Sequence, residues 1–279
     1  MWELTEDVEA FAGTAGDFLK SRPVEHTVFL TLVDTLRRRG LHAYGSEAPI
    51  FGSWRTDGGA TDGVLLQTPP YPMMFSRLPA GAVAAALDAV AGRPLPGVNM
   101  VTADADEFVA GWRERTGADA RTGLRARLYR LAELIPPPPP GGHSRVAAAS
   151  DRELLLRWYR AFHDELGDVR EADHDALVDD RLSHGDITLW EVDGVPVSTA
   201  SRSRPDAGMV RVVMVYTPPE FRGHGYAAAV TATASRTALD QGATDVVLFT
   251  DLDYPTSNGV YQRIGYRPVL DRVVMEFSP

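Results

Sequence analysis

Residues 136–140 are all proline, and Gly141-Gly142 follows, close to the middle of a 279-residue chain. Proline fixes φ and brings no N–H, so such a run suits neither a helix interior nor a central strand. It reads as a stiff, extended spacer. The two glycines behind it read as a hinge. A chain interrupted there is expected to fold as two bodies, 1–135 and 144–279, joined by a linker at 136–143. A hydrophobic share of 44% is enough to fill one large core or two ordinary ones.

The apolar pattern runs in the same order on both sides of the spacer. In the first half, Val8, Phe11, Phe18, Val28, Leu32 and Leu36 recur at helical spacing through 4–39. Strands follow at 50–55 and 64–68, around the turn Asp57-Gly58-Gly59, and at 71–77. Then come a helix at 80–90, a strand at 98–102, a helix at 104–115 and a strand or hairpin at 124–134. In the second half a strand at 145–149 leads into helices at 151–166 and 172–182. A hairpin, 186–192 with 195–201, turns over Asp193-Gly194. Strand 210–217, an alanine-rich helix ending before Gly242, strand 245–250, helix 256–264 and a terminal hairpin complete the chain. Thr102 stands fifteen residues before Gly117, as Thr250 stands before Gly265, and both pairs are offset by 148. This predicts a tandem duplication of one α/β fold, each copy a mixed sheet flanked by helices.

The copies differ in chemistry. In the second, Tyr216-Thr217-Pro218-Pro219-Glu220-Phe221 leads to Arg222-Gly223-His224-Gly225-Tyr226-Ala227, which opens the alanine-rich helix. A glycine turn at a helix start aims unpaired N–H groups, and the positive end of the dipole, at one point. Such a point suits a phosphate. Arg222 adds a guanidinium able to grip its oxygens. Gly223-x-Gly225-x-x-Ala228 also fits a dinucleotide fingerprint, but Pro218–Arg222 intervene between strand and glycine and too little chain follows for further βαβ units. A nucleotide-binding loop of the G-x-x-x-x-G-K-[ST] type is absent, and the only lysine is Lys20. In the register of the repeat, Ala110 replaces Asn258 and Arg113 replaces Tyr261, and Leu78-Pro79-Ala80-Gly81 stands roughly where the arginine–glycine turn should be.

Arg222-x-x-Gly225-x-Ala227 after a strand resembles motif A of the GCN5-related N-acetyltransferase (GNAT) superfamily. Asn258-x-x-Tyr261-x-x-x-Gly265-Tyr266, after the strand at 245–250, resembles its motif B. The resemblance implies two tandem GNAT-like domains, a catalytic one at 144–279 and a degenerate one at 1–135. It implies acetyl-CoA as acyl donor, held by Val215, Tyr216 and Thr217 along the pantetheine arm. Arg222, Gly223, His224, Gly225, Tyr226 and Ala227 would bind the pyrophosphate, with Asn258 and Tyr261 completing the cofactor site. It also implies Tyr261 as general acid for the leaving thiolate, and a backbone N–H near Val215 for the oxyanion.

No carboxylate lies on the central strand. Glu165 is the leading candidate for the general base, with His163, Glu191 or an ordered water as alternatives. Residues 163–181 carry Asp164, Glu165, Asp168, Glu171, Asp173, Asp175, Asp179 and Asp180 against Arg170 and Arg181. They would form a negative rim for a cationic acceptor. The expected acceptor is a primary amine of a small molecule or peptide, acetylated by direct transfer. A larger acyl-CoA, a hydroxyl acceptor, or a CoA-responsive module without turnover are the rivals.

Composition narrows the rest. Cysteine is absent, which excludes disulfides and a thiol nucleophile. His163, His174 and His184 match no established metal-ligand spacing, so no metal is expected. Trp54 and Trp112 read as packing residues. A net charge of −10 argues against nucleic acid and anionic membranes as partners. No signal peptide or membrane span is evident, so the expectation is a cytoplasmic protein, monomeric or weakly dimeric.

Overall fold

The computed structural model describes residues 1–166 and 173–278. Asp168, Arg170 and Glu171 of the acidic stretch lie outside the described residues. The chain packs into two compact units. One comprises 1–128, 251–253 and 269–279, and the other 129–250 and 254–268.

The first unit opens with a strand where helix was expected, β1 (Trp2–Thr5), because Trp2 and Leu4 alternate onto the core. Helices α1 (Val8–Ser21) and α2 (Thr27–Arg39) follow. Asp7 caps α1 through the N–H groups of Glu9 and Ala10. Strands β2 (Ile50–Arg55), β3 (Thr61–Gln67) and β4 (Met73–Phe75) form an antiparallel meander, with β1 on the outer edge of β2. After α3 (Ala82–Ala89), β5 (Gly97–Val101) pairs in parallel with β4. Helix α4 (Thr102–Thr116) then packs Phe108 and Trp112 into the core. Trp112 is a core residue and Trp54 packs against the same cluster.

Strand β6 (Asp119–Leu131) is one long strand rather than a hairpin, and its last residues, from Tyr129, belong to the second unit. There β7 (His143–Val146) leads to α5 (Arg152–Glu165) and α6 (His174–Ser183). Strands β8 (Ile187–Val192), β9 (Val195–Arg202) and β10 (Met209–Tyr216) are antiparallel neighbours. Helix α7 (Tyr226–Asp240) returns the chain to β11 (Asp245–Asp251), parallel to β10, and α8 (Pro255–Arg263) follows. The core against α7 and α8 holds Tyr129, Val210, Val212, Leu248 and Tyr261. A second core against α5 and α6 holds Leu155, Tyr159, Ile187 and Tyr216.

The expected terminal hairpin is a single strand, β12 (Tyr266–Ser278). Its residues from Val269 onward belong to the first unit, where Arg272–Glu276 pair antiparallel with Val101–Gly97 of β5. The glycines after the proline run are tied down as well. Trp190 donates its indole N–H to the Gly141 carbonyl at 3.0 Å. Gly142 has φ +95°, and a Cβ there would lie 2.1 Å from the Glu191 oxygen. Glycine at 142 therefore serves a close approach to β8 rather than a hinge.

Both units keep the same parallel pair. In the first, β4 and β5 align at Met73↔Val98 and Met74↔Asn99. In the second, β10 and β11 align at Val210↔Val246 and Arg211↔Val247. Val246 and Val247 follow Val98 and Asn99 by the same 148 residues read from the sequence. The fold is thus two tandem α/β domains, each a mixed sheet flanked by helices.

Candidate active site

Strand β10 does not keep one face. Strict alternation would set residues 210, 212, 214 and 216 on the same side. Instead Val210 and Val212 enter the core beneath α7, while Met214 and Tyr216 enter the core beneath α5. The reason is a bulge. Val213 pairs with Ser201 but Tyr216 with Thr199, so three steps on β10 match two on β9. Met214 takes a left-handed φ of +48° within it, a conformation that costs a non-glycine residue energy and marks functional segments. On the other side, pairing with β11 ends at Arg211↔Val247, although both strands continue. From there to Tyr216, that edge of β10 leaves main-chain groups around Val215 without a partner strand among the described residues.

A single 3₁₀ turn, Pro219–Phe221, then leads to Gly223 and Gly225, each with φ +84°. Gly225 is the N-cap of α7, no side chain caps the helix, and its first turn holds no acid. The first helical bond in the turn runs from the Ala229 N–H to the Gly225 carbonyl at 3.1 Å. By helix geometry the N–H groups of Gly225, Tyr226, Ala227 and Ala228 have no intrahelical acceptor. The donor set and the positive helix end fit a phosphate. The His224 ring stacks on Tyr226 at 5.4 Å, and its Nδ1 donates to the Phe221 carbonyl at 3.3 Å.

Arg222 points elsewhere than its motif suggests. Its terminal nitrogen donates to both oxygens of Glu165 at 2.7 Å, and its Nε donates to the Thr217 carbonyl at 2.9 Å. The guanidinium carbon lies 5.9 Å from the centre of the Tyr216 ring. The Tyr216 hydroxyl donates to Glu165 at 3.4 Å, and burial, with Glu165 next, raises its pKa. Glu165 therefore stands beside the central strand, tied to the glycine turn. Ser198, which no motif singles out, donates to the Tyr216 carbonyl at 3.0 Å and meets the Thr217 hydroxyl at 2.8 Å.

Helix α8 carries the other two residues. Tyr261 is buried, edge-on to Tyr266 at 6.3 Å, and its hydroxyl makes no hydrogen bond among the described residues. Burial pushes its pKa up to about 12. Asn258 donates to the Tyr254 carbonyl at 3.0 Å and accepts from the Tyr129 hydroxyl at 2.9 Å. Tyr129 also accepts from Gln262 at 3.0 Å. Sequence reasoning missed Tyr129 because it lies before the proline run. Its one signal was the alternation that sets Tyr129 and Leu131 on a common buried face.

The acidic stretch is largely matched by arginines. Arg152 pairs with Asp175 and Asp179, Arg204 with Asp180, and Arg222 with Glu165. Asp173 caps α6 through the Ala176 N–H. The expected negative rim is thus mostly neutralised among the described residues. His163 and His174 rings lie 4.8 Å apart, and no cluster of three potential metal ligands occurs among the described residues. No described helix is long and apolar enough to cross a membrane.

Comparisons with known proteins bear on the family and the fold. Residues 152–266 match the model of the acetyltransferase (GNAT) family. No curated protein matches the chain by sequence. Among solved structures, a Drosophila protein superposes over 100% of this chain and 98% of its own, with a TM-score of 0.70 and 14% identity. A GCN5-related N-acetyltransferase from Sphaerobacter thermophilus covers 98% and 94%, with a TM-score of 0.61 and 15% identity. A tandem GNAT protein from the clavulanic acid biosynthesis pathway covers 100% and 98%, at 0.59 and 14%. At these identities the superpositions speak to fold alone.

Proposed function

We infer, for a chain whose residues 152–266 belong to the acetyltransferase (GNAT) family, that it transfers an acetyl group from acetyl-CoA directly to a primary amine of a small molecule or peptide. One observation carries this reading. Strands β10 and β11 part beyond Arg211↔Val247 at a bulge, and the chain then runs into an uncapped, glycine-opened helix N-terminus.

Acetyl-CoA supplies an activated thioester carbonyl. The main chain of Val215–Thr217 pairs with the amides of its pantetheine arm, and the N–H groups from Gly223 to Ala227 receive its pyrophosphate. A bulge N–H near Val215 stabilises charge on the carbonyl oxygen. Glu165, directly or through a water, takes the proton from the acceptor ammonium. Both its oxygens accept from Arg222 and Oε1 also accepts from the Tyr216 hydroxyl, which leaves Oε2 with a further lone pair for that proton. The N–C bond forms as the nitrogen gives up its second proton to water, the C–S bond breaks, and Tyr261 gives its proton to the departing thiolate and recovers one from water. Asn258 supports the cofactor from α8. The catalytic domain is the one at 144–279, and the copy at 1–135 has lost the arginine–glycine turn and the Asn/Tyr pair.

The test is to incubate the protein with acetyl-CoA and a panel of amine metabolites, following free thiol and acetylated product by mass spectrometry. An amine-dependent thiol signal with a matching acetyl-amine supports the reading. Tight acetyl-CoA binding with no product from any acceptor would point to a CoA-responsive module. Products only from longer acyl-CoAs or from alcohols would redefine donor or acceptor.

A further inference from the structure

Helix α8 is poorly equipped to hold itself in place. It is nine residues long, begins at Pro255, has no side-chain cap, and carries Gly259 in its interior. Glycine there weakens a helix relative to alanine, and helices this short are marginal on their own. Yet it carries Asn258 and Tyr261, whose placement the proposed reaction needs.

Asn258 and Gln262 are four residues apart and so lie one above the other on a single face. Tyr129, fully buried at the end of β6, sits against that face. Its hydroxyl donates to Asn258 Oδ1 at 2.9 Å and accepts from Gln262 Nε2 at 3.0 Å. The accepted bond from Gln262 leaves the phenolic proton directed to Asn258. Asn258 Oδ1 is thereby fixed as the acceptor end, and Nδ2 as the donor to Tyr254. One hydroxyl thus clamps a full turn of α8 and fixes the orientation of the Asn258 amide.

We propose that Tyr129 is a positioning residue of the acyl-CoA site, setting the rotation of α8 and the amide orientation of Asn258 from a strand that precedes the proline run. This rests on the acyl-CoA reading above. It adds that residues 144–279 alone do not hold the complete site.

The test uses the full chain and acetyl-CoA affinity by calorimetry, which needs no acceptor and no turnover. Tyr129→Phe keeps the ring and removes the hydroxyl. It should weaken acetyl-CoA binding about 5–10-fold, the loss expected when one buried hydrogen-bonding group goes unsatisfied. Tyr129→Phe combined with Asn258→Ala should bind only about 2–3-fold more weakly than Asn258→Ala alone, the share of the remaining Gln262 bond and well short of additivity, because the contact between Tyr129 and Asn258 is shared. Unchanged affinity in a folded Tyr129→Phe, or full additivity in the double variant, would overturn the proposal. If Tyr129→Phe does not fold, the exposed partner is replaced instead. Gln262→Leu should then weaken binding about 2–3-fold, and no change would count against the clamp. Failure of every amine as acceptor, with these affinity losses intact, would sink the transferase reading and leave the role of Tyr129 standing. Absence of any acetyl-CoA binding by the unaltered chain would sink both.

Discussion

Tyr261 is the residue at which burial and chemistry make opposite demands. A phenol that must give its proton to a thiolate and recover it works best near its ordinary pKa, whereas burial pushes this one up to about 12. Its charged form is the deprotonated one, so the folded state keeps the proton between pH ~10 and ~12 while the unfolded chain loses it. The stability its burial contributes is whole below pH ~10 and is lost as pH rises to about 12. Tyrosinate absorbance should show one phenol titrating near 12 that Tyr261→Phe removes. The same variant should keep acetyl-CoA affinity and slow turnover by about 10²–10⁴-fold; an unchanged kcat would make Tyr261 a packing residue. At the acidic stretch, the ion pairs of Arg152, Arg204 and Arg222 leave little net charge to steer an ammonium. The kcat/KM for the best amine should therefore vary less than about 3-fold across the usual range of ionic strength. A steep fall with salt would restore the steering rim.

Among the elements, those with strong local signals were legible. The β2–β3 hairpin, the β8–β9 hairpin and the alanine-rich α7 stand where turn residues and periodicity put them. The bulge in β10 was not legible, because Val210–Tyr216 is nearly all apolar and gives period-two reasoning nothing to flip against. Its position was set by pairing with β9, a tertiary fact. Likewise Arg222 could be read as a phosphate ligand from its motif, but its contact with Glu165 crosses from α5 and has no trace in spacing. The glycine turn has its own test. Gly225 holds φ +84° and no atom lies within 4 Å of where a Cβ would stand, so Gly225→Ala meets backbone strain and no clash. It should cost about 1–2 kcal/mol of stability, read from a denaturant midpoint. Acetyl-CoA affinity should also fall if these N–H groups bind phosphate.

At the scale of the molecule, the duplication was legible in an offset of 148, and the proposed loss of the first site rests on the residues at the equivalent positions. What the sequence hid is where the units exchange chain. In the first unit, Arg272 is buried on β12 with its pKa lowered to about 10 by desolvation. It donates to the carbonyls of Phe75 and Asn99 at 2.8 and 2.7 Å, and to the Asn99 side chain at 2.8 Å. It thus bridges β4 and β5 just where their parallel pairing ends, the level at which β10 and β11 part. Calorimetry should accordingly find one acetyl-CoA per chain, and two equivalent sites would refute the loss of the first. Arg272→Met would remove those three hydrogen bonds and should destabilise the protein by about 2–4 kcal/mol. An unchanged melting temperature would show that the bridge is dispensable.

The pairing of β5 with residues 272–276 also sets a timetable for the nascent chain. Synthesis proceeds at roughly 5–20 residues per second and domains tend to fold as they emerge. Here Val98, Met100 and Val101 leave the ribosome well before their partner strand has been translated, a wait of roughly ten to thirty seconds at those rates. Throughout it, an apolar strand edge of the kind that recruits other chains stands open. Slowed translation of the second half, or a ribosome stalled before Val269, should therefore raise the demand for chaperones on the first half, which has itself already been fully translated.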